Sequence, residues 1–416
     1  MTVSENPADT RCSNDRALQR LYTADPVLVD VRPAIEALPG MTRDTVLVSG
    51  PPLPWSEYTG GQRRAILGGV VHEGLAADSD EAELLLSRGV VRVDGCHDFG
   101  CVGSVAGITT ASMPVLVVED AESGHRGHCT LFEGETRGRL NYGVFDPAVD
   151  ANLRYLAEVI RPLLAAVVRA SGGIPLKPIM ERALRQGDEL HSRTAASSLL
   201  FLRQIAPALL DLPPADARVL MAYLTAGDYF FLRPAMAASK SMADRMSGVR
   251  GSTVVTAMAF SCKEFGIRVA GLGNRWIRGP LPNVETSHFF PGFTRDDIEV
   301  MGGESVITEV CGLGAFAQAN ALSLQAYHGG SADSMIDRNL QMYEITAGEH
   351  PSFTLPVFGY RGSPAGIDVA KVAETGITPA MNVALAAKSG GQIGAGSFRA
   401  PLAPFARAAE LLAASS

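Results

Sequence analysis

The chain has 416 residues, of which 46% are hydrophobic, and its formal net charge at pH 7 is −8. A chain longer than about 250–300 residues usually forms more than one domain, so this length predicts two or three. An acidic balance without blocks of like charge argues against nucleic acid or an acidic membrane surface as the main partner. No apolar run reaches about 18 residues, and the segment 1–20 is polar, so we expect a cytoplasmic protein without a spanning helix or secretion signal.

Residues 1–150 predict an N-terminal α/β domain, because short helical and β-branched segments alternate there. Such short, alternating elements are typical of a mixed sheet with helices packed on it. The predicted helices cover 14–23 and 60–75 and resume at 78–83, and the predicted strands cover 27–31, 45–48, 90–93 and 113–118.

Residues 151–247 predict an α-helical domain, because apolar residues repeat there at helical spacing and prolines lie at the breaks. The predicted helices are 153–170, 178–206, 215–223 and 234–246.

Residues 248–416 predict a second, glycine-rich α/β domain. A hairpin is expected from strands 253–259 and 265–270, and a strand at 305–310 is expected to lead through a glycine turn into a helix at 315–327. The fold class is therefore α/β, a complex α+β arrangement of two mixed α/β domains with an α-helical domain between them.

Two glycine-punctuated stretches, 251–276 and 389–396, predict a ligand-binding surface. Glycine at this density costs backbone entropy without filling a core, so it is typical of tight turns and of a ligand approaching the backbone. In the second stretch we expect Gln392 and Gly394 to contact a ligand.

Arg268 lies in a predicted strand between Gly266 and Ala270, which leaves room for a carboxylate or phosphate to bind its guanidinium. Asn274 and Arg275 follow one turn later and are expected to bind the same anion. The alternative is a structural salt bridge from Arg268 to Glu264, Glu304 or Glu309.

Gly312 and Gly314 follow the predicted strand 305–310 and precede a predicted helix, an order that indicates an anion cradle. The dinucleotide fingerprint and the nucleotide P-loop are both incomplete here, which argues against NAD and ATP. No cofactor is predicted.

The polar segment 187–193 interrupts an apolar helical pattern and contains Asp188 and His191, which a helix would place on one face. A carboxylate beside an imidazole raises its basicity and orients it, as a proton shuttle requires. Glu189 and Arg193 are expected to bind substrate. A solvated helix face is the alternative.

Cys96 and His97 follow a short predicted strand, where loops often present catalytic groups. His97 is a candidate to move a proton, and Cys96 is a candidate nucleophile or pocket-lining residue. The neighbouring cysteines and histidines suit zinc, but their spacing matches no zinc motif, so no metal is predicted.

Five segments resemble, in order and from about residue 14 to the end, the AllG-type proteins. They are Val27–Ala34, Gly187–Arg193, Gly251–Ala259, Glu264–Val269 and Gly366–Val369. The resemblance implies an oxamate carbamoyltransferase subunit that passes a carbamoyl group between oxalurate and phosphate. It also implies two partner subunits, one of them similar to the succinyl-CoA synthetase α chain, and we further expect a homo-oligomer.

Two departures from the family pattern indicate a changed ligand. The family typically has a cysteine followed by several histidines, whereas here His97 is followed by Asp98. The family pattern Gly-Asn-Asp-His-Phe-Phe is replaced here by Gly-Asp-Tyr-Phe-Phe at 227–231.

Residues and resemblance together predict attack on a carbamoyl carbon, with the oxyanion stabilised by glycine-loop amides and arginine. Arg268 and Arg275 would hold the anion, and His97 or His191 would move the proton, with Asp188 orienting His191. Two alternatives stay open. One is an amidohydrolase of a cyclic amide or ureide, and the other is a non-catalytic subunit that binds a small acid.

Overall fold

A computed structural model describes residues 7–414, which form a mixed α and β fold. The helices are α1 Pro7–Tyr22, α2 Ala34–Ala37, α3 Gly60–His72, α4 Ser79–Ser87, α5 Pro147–Tyr155, α6 Arg161–Ala170, α7 Lys177–Leu184, α8 Ala195–Leu210, α9 Pro214–Thr225, α10 Leu232–Asp244, α11 Ile307–Val310, α12 Gln325–His328, α13 Ala332–Glu344, α14 Val369–Thr375 and α15 Leu402–Ala413. The strands are β1 Pro26–Pro33, β2 Thr45–Val48, β3 Arg92–Gly95, β4 Pro114–Asp120, β5 Arg126–Thr130, β6 Ile174–Pro175, β7 Val255–Phe260, β8 Phe265–Val269, β9 Ile277–Gly279, β10 Asn283–Phe289, β11 Ile298–Glu299, β12 Thr346–Leu355, β13 Arg361–Ile367, β14 Ala380–Ala387 and β15 Gln392–Arg399.

The N-terminal sheet has the order β5-β4-β1-β6, and its strands pair antiparallel. A bulge between Leu28 and Asp30 lets β1 follow β4 along its length. Strands β2 and β3 pair in parallel, and β3 leads into the segment 96–107. This sheet therefore sets the position of two loops of the candidate site, 101–107 and 131–142.

Helix α10 packs across β4 and β5, and every residue from Arg233 to Ala243 is buried. A helix buried all round is normally apolar, because each buried charge loses its hydration. Arg233 and Lys240 are exceptions to that rule. Lys240 pairs with Asp244 at 2.7 Å, whereas Arg233 has no such partner among the described residues.

The C-terminal part contains a sheet of order β10-β15-β14-β11, a β7-β8-β9 sheet and the β12-β13 hairpin. The mixed α and β composition and the helical segment between the sheets confirm the predicted fold class. One buried apolar cluster includes Leu28, Phe231 and Phe353, which come from all three predicted domains. The division at 150 and 247 stays a prediction.

Three predicted elements are wrong. The predicted helix 178–206 is two helices, α7 and α8, separated by the loop 185–194, because Gly187 and Leu190 have positive φ angles of 91° and 69°. The β-branched run 305–310 forms the helical turn α11 rather than a strand, so tertiary contacts override local propensity there. The predicted helix 315–327 is a series of short 3₁₀ turns that leads into α12.

None of the helices within residues 7–414 combines the length and apolarity needed to cross a bilayer.

Candidate functional site

A cavity of about 60 Å³ lies where three loops meet the first turn of α10 and the C-terminal sheet. By the same measure a water molecule needs about 10–15 Å³, so the space suits a small molecule of a few non-hydrogen atoms. Its polar lining consists of Ser104, Arg139, Tyr142, His191, Ser192, Tyr229, Arg233, Ser305, Tyr327 and Gln392.

Arg233 lines the cavity and is buried, with only 4% of the residue exposed. Its Nη1 lies 3.3 Å from Thr130 Oγ1 and 3.8 Å from Cys129 Sγ, and its Nη2 donates to Ser104 Oγ at 3.1 Å. None of these partners carries a negative charge. A buried cation without a counter-ion costs several kcal/mol, so this arrangement favours a bound anion.

Arg139 supplies a second buried guanidinium and is 8% exposed. It donates to Gly134 O at 3.2 Å and to Gln392 Oε1 at 2.7 Å, and its guanidinium carbon lies 4.3 Å from the centre of the Tyr142 ring. Its Nε has no partner among the described residues. Arg139 and Arg233 thus bring two guanidinium groups to the cavity, and neither forms an ion pair with a carboxylate among the described residues.

His191 is buried at the cavity and pairs with Glu309. Its Nδ1 lies 2.9 and 3.0 Å from the two carboxylate oxygens of Glu309. Burial alone would lower the pKa of His191, but the charge and hydrogen bond of Glu309 outweigh it and raise that pKa. Because Nδ1 is engaged, Nε2 is the ring nitrogen free to exchange a proton with a ligand.

Glu309, rather than the predicted Asp188, therefore orients His191. The carboxylate of Asp188 accepts the backbone N–H groups of Ala196 at 3.1 Å and Ser197 at 2.8 Å. It caps the first turn of α8, and no hydrogen bond or ion pair joins it to His191 in the described chain. The prediction was wrong because it assumed a continuous helix through this segment.

Glu189 shapes the loop that carries His191. Its carboxylate accepts the backbone N–H of His191 at 2.9 Å and of Arg193 at 2.8 Å, and it also accepts the N–H of Ser192. Burial, followed by repulsion from Glu309, raises the pKa of Glu189 to about 7. The Arg193 side chain turns away to Gly187 O, at 3.0 Å. Neither Glu189 nor Arg193 lines the cavity.

Backbone strain is found on both sides of the cavity. Leu190 and Ala106, with φ angles of 69° and 55°, are two of the three non-glycine residues with positive φ in the described chain. Leu190 precedes His191 and Ser192, and Ala106 follows Ser104 and Val105. Such strain persists only where the surrounding structure enforces it, and it is common at functional sites.

Gln392 lies in the glycine-rich C-terminal stretch and lines the cavity. Its Nε2 donates to Tyr327 Oη at 2.7 Å, and its Oε1 accepts from Arg139. Gly394 lies on β15, where an added Cβ would come within 2.1 Å of His288 O. This glycine permits close strand packing and does not line the cavity.

The predicted arginines lie elsewhere. Arg268 forms an ion pair with Asp98, and its guanidinium carbon lies 4.3 Å from the ring centre of Trp276. Arg275 and the neighbouring Asn274 are exposed. The cations of the cavity are Arg139 and Arg233 instead. The charge of Arg233 was not recognised because it lies at the beginning of an apolar helix.

His97 and Cys96 belong to a separate buried polar cluster. His97 Nε2 lies 3.9 Å from Glu304 Oε1, and both ring nitrogens lack hydrogen-bond partners among the described residues. Burial lowers the pKa of His97, and it raises that of Glu304 to about 8. Cys96 Sγ contacts Gly107 O at 3.2 Å, and burial raises its pKa. A thiol in this state is a poor nucleophile.

Gly312 and Gly314 lie in close contact with other residues of the chain. A Cβ at Gly312 would come within 2.8 Å of Pro364 O, and one at Gly314 within 2.5 Å of the Glu309 carboxylate. Because Glu309 already lies against Gly314, these glycines position the partner of His191. They do not form the predicted anion cradle. Within residues 7–414, no group of three or more His, Cys, Asp or Glu side chains could hold a metal ion.

Gly103 fixes the loop that presents Ser104. A Cβ at Gly103 would lie 2.2 Å from Gly107 Cα, and backbone atoms cannot yield as a flexible side chain can. We therefore expect Gly103→Ala to lower the free energy of unfolding by about 1–3 kcal/mol, as urea denaturation would measure. The control is Gly138→Ala, because its Cβ would meet Val144 Cγ1 at an ordinary 3.4 Å. Equal stability of the two variants would contradict this packing.

The family assignment rests on sequence comparison. Residues 91–305 match the family model described as oxamate carbamoyltransferase subunit AllG. The Escherichia coli (strain K12) protein named oxamate carbamoyltransferase subunit AllG is 37% identical over 410 residues, which are 97% of each chain. The chain belongs to the AllG family.

Two further proteins are similar to this chain along almost its whole length. The uncharacterized protein YahG of Escherichia coli (strain K12) is 37% identical over 400 residues, which are 95% of this chain and 84% of the relative. A crystal structure of a conserved protein of unknown function from Enterococcus faecalis V583 has 35% identity and a TM-score of 0.94, and the match covers 98% of each chain. The chain thus shares its fold with this solved structure over almost its whole length.

The two departures from the family pattern have different locations. Tyr229, which stands where the AllG-type pattern has a histidine, lines the cavity. Its ring centre lies 6.3 Å from that of Tyr327. Asp98, which stands where the family has a second histidine, pairs with Arg268 outside the cavity. Of these two positions, Tyr229 is therefore the one that lines the cavity.

Proposed function

We propose that this chain is a carbamoyltransferase subunit that binds a small planar anion in the cavity lined by Arg139 and Arg233. The reaction is the transfer of a carbamoyl group from an oxalurate-like ureido acid to phosphate. Its products are an oxamate-like amide and carbamoyl phosphate. The relative's name, which contains oxamate and carbamoyltransferase, supports this chemistry.

The observation that carries the proposal is the pair of buried guanidinium groups, neither of which forms an ion pair with a carboxylate in the described part of the chain. Both substrates and both products are anions of a size compatible with a small cavity. Arg139, whose guanidinium already donates one hydrogen bond to Gln392, binds the carboxylate or phosphate. Arg233 lies beside Ser104 and stabilises the oxyanion that develops on the carbamoyl oxygen.

His191 moves the proton in this scheme. Glu309 raises the pKa of His191, so the imidazolium form is available to protonate the nitrogen of the departing amide. The neutral imidazole then accepts the proton from the attacking hydrogen phosphate. Charge and protons balance over one turnover, and Glu309 keeps Nε2 directed at the ligand.

Partner subunits belong to the proposal, because the AllG relative is named as a subunit. We propose that this chain forms a homo-oligomer and assembles with partners that include a succinyl-CoA synthetase α-like chain. We place the assembly in the cytoplasm, without nucleic acid or membrane contacts.

The test combines calorimetry and turnover. Phosphate, oxamate, oxalurate and carbamoyl phosphate would each be titrated into the purified chain, and release of carbamoyl phosphate from oxalurate would be assayed with and without partner subunits. We expect anion binding by the chain and turnover that requires phosphate.

Other outcomes separate the alternatives. Turnover in phosphate-free buffer would replace the proposal with an amidohydrolase, in which water is the acceptor. Anion binding without turnover in the fully assembled enzyme would indicate a non-catalytic binding subunit. Failure of all four anions to bind would contradict the assignment of the cavity.

A further inference from the structure

A serine–histidine pair lies at the same cavity. Ser192 lines the cavity, and its Oγ lies 2.9 Å from Nε2 of His328. His328 is 1% exposed, and its Nδ1 has no partner among the described residues. A hydroxyl in contact with a neutral imidazole is the arrangement that activates a serine as a nucleophile.

The backbone holds Ser192 in place independently of its hydroxyl. The N–H of Ser192 donates to Glu189, and the strained Leu190 lies two residues before it. The backbone at Ser192 is thus held by Glu189, whereas its side chain lines the cavity and contacts His328. A structural serine in a loop needs no such strain, whereas a preorganised nucleophile benefits from it.

We propose that Ser192 is the nucleophile and that the carbamoyl group passes through a carbamoyl-serine, an inference that rests on the proposed function. Ser192 Oγ attacks the carbamoyl carbon of the ureido acid, and its proton moves to His328 Nε2. The bond between that carbon and the amide nitrogen breaks, and the departing nitrogen takes a proton from His191. An oxygen of hydrogen phosphate then attacks the carbamoyl-serine, and the bond from carbon to Oγ breaks.

The protons return in the second step. Hydrogen phosphate gives its proton to His191, and His328 gives its proton back to Ser192 Oγ. Each imidazole thus ends as it began, and no oxidant or further reactant is needed. Burial, followed by repulsion from His191, lowers the pKa of His328 to about 3. The repulsion, but not the burial, ends as His191 gives its proton to the departing nitrogen, so the scheme couples proton uptake by His328 to that transfer.

The experiment is an isotope exchange with the fully assembled enzyme. Carbamoyl phosphate and radiolabelled phosphate are mixed without oxamate, and label is followed into carbamoyl phosphate. A carbamoyl-serine intermediate predicts exchange, because the first half of the reverse reaction is complete without the acceptor. We also expect mass spectrometry of the quenched enzyme to find one carbamoyl group on the peptide that contains Ser192.

Ser192→Ala is expected to lose exchange by roughly 10³-fold or more, while its phosphate affinity and melting temperature stay close to wild type. His328→Gln should lose exchange as well. Ser112→Ala is the matched control, because Ser112 is exposed and bonds to Glu73 instead of lining the cavity. This variant should exchange at the wild-type rate.

Three results would overturn the assignment. If wild-type enzyme transfers carbamoyl to oxamate but shows no exchange, the transfer is direct. That result excludes Ser192 as the nucleophile and leaves the proposed function intact. Exchange by Ser192→Ala within tenfold of wild type excludes Ser192 as the nucleophile. If wild-type enzyme shows no carbamoyl transfer at all, both the proposed function and the role of Ser192 as nucleophile are contradicted.

Discussion

Substitution of Arg233 by methionine is expected to weaken the binding of phosphate and oxamate roughly 30- to 1,000-fold. This corresponds to the loss of about 2–4 kcal/mol for a desolvated charge-assisted contact. Arg233 is 4% exposed and has no carboxylate partner in the described chain, so a bound anion would be its main counter-charge. Isothermal titration calorimetry with each anion measures the change.

The same substitution should leave the free energy of unfolding unchanged or higher when no anion is present. Methionine removes an uncompensated buried charge and keeps apolar volume in the first turn of α10. Opposite effects on binding and stability would distinguish a lost ligand contact from a misfolded variant. Arg275→Met is the control, because Arg275 is exposed, and we expect anion affinity within about twofold of wild type. Wild-type affinity in Arg233→Met would remove this arginine from the site.

Most elements of the fold follow from local patterns in the sequence. The β-branched runs at 27–31 and 45–48 lie within β1 and β2, and the prolines near 178 and 214 lie in the first turns of α7 and α9. These patterns can be recognised in the sequence because the repeat of side chains along a strand or helix, and the backbone geometry of proline, are set within a few residues. The run 305–310 is an exception because its tertiary contacts outweigh β propensity: Glu309 within it accepts N–H groups of Ala315 and Asn382.

The candidate site was only partly predictable, because its residues come from segments distant in sequence. His191 and Gln392 were identified from local signals, and the structure places both at one cavity. Glu309 reaches His191 across 118 residues, and no spacing rule reveals such a contact. Arg233 offers only a weak signal, since a buried cation is costly unless it is paired or has a function, but its burial becomes visible only in the structure.

The interpretation of Arg268 illustrates the opposite error. Small neighbours on its strand indicated space for a ligand, but Pro51 and Trp276 fill the space beside Gly266. Asp98, which lies 170 residues earlier in the chain, provides the counter-ion. Alternation along a strand shows which face a side chain occupies but not which element covers that face.

His191→Gln is expected to lower the turnover of the assembled enzyme roughly 10²- to 10⁴-fold, the usual contribution of a positioned acid–base group. Affinity for phosphate should change much less, because the two arginines and not the histidine carry the anion contacts in the proposed site. Steady-state kinetics of oxalurate phosphorolysis and calorimetry on the same preparation measure the two effects. Turnover within tenfold of wild type would exclude His191 as the proton donor.

The pH dependence gives a sharper test, through Glu309→Gln. The imidazolium of His191 is the donor in phosphorolysis, so turnover falls as pH rises through the pKa of His191. Glu309 raises that pKa, so removal of its charge should move the fall to lower pH. Because His191 ends each turnover as it began, the reverse reaction also starts from the imidazolium, so its turnover falls as pH rises and this fall should move to lower pH as well. Asp188→Asn is the matched control, because Asp188 caps α8 and does not contact His191. A pH profile that moves in Asp188→Asn but not in Glu309→Gln would restore the pairing that the sequence predicted.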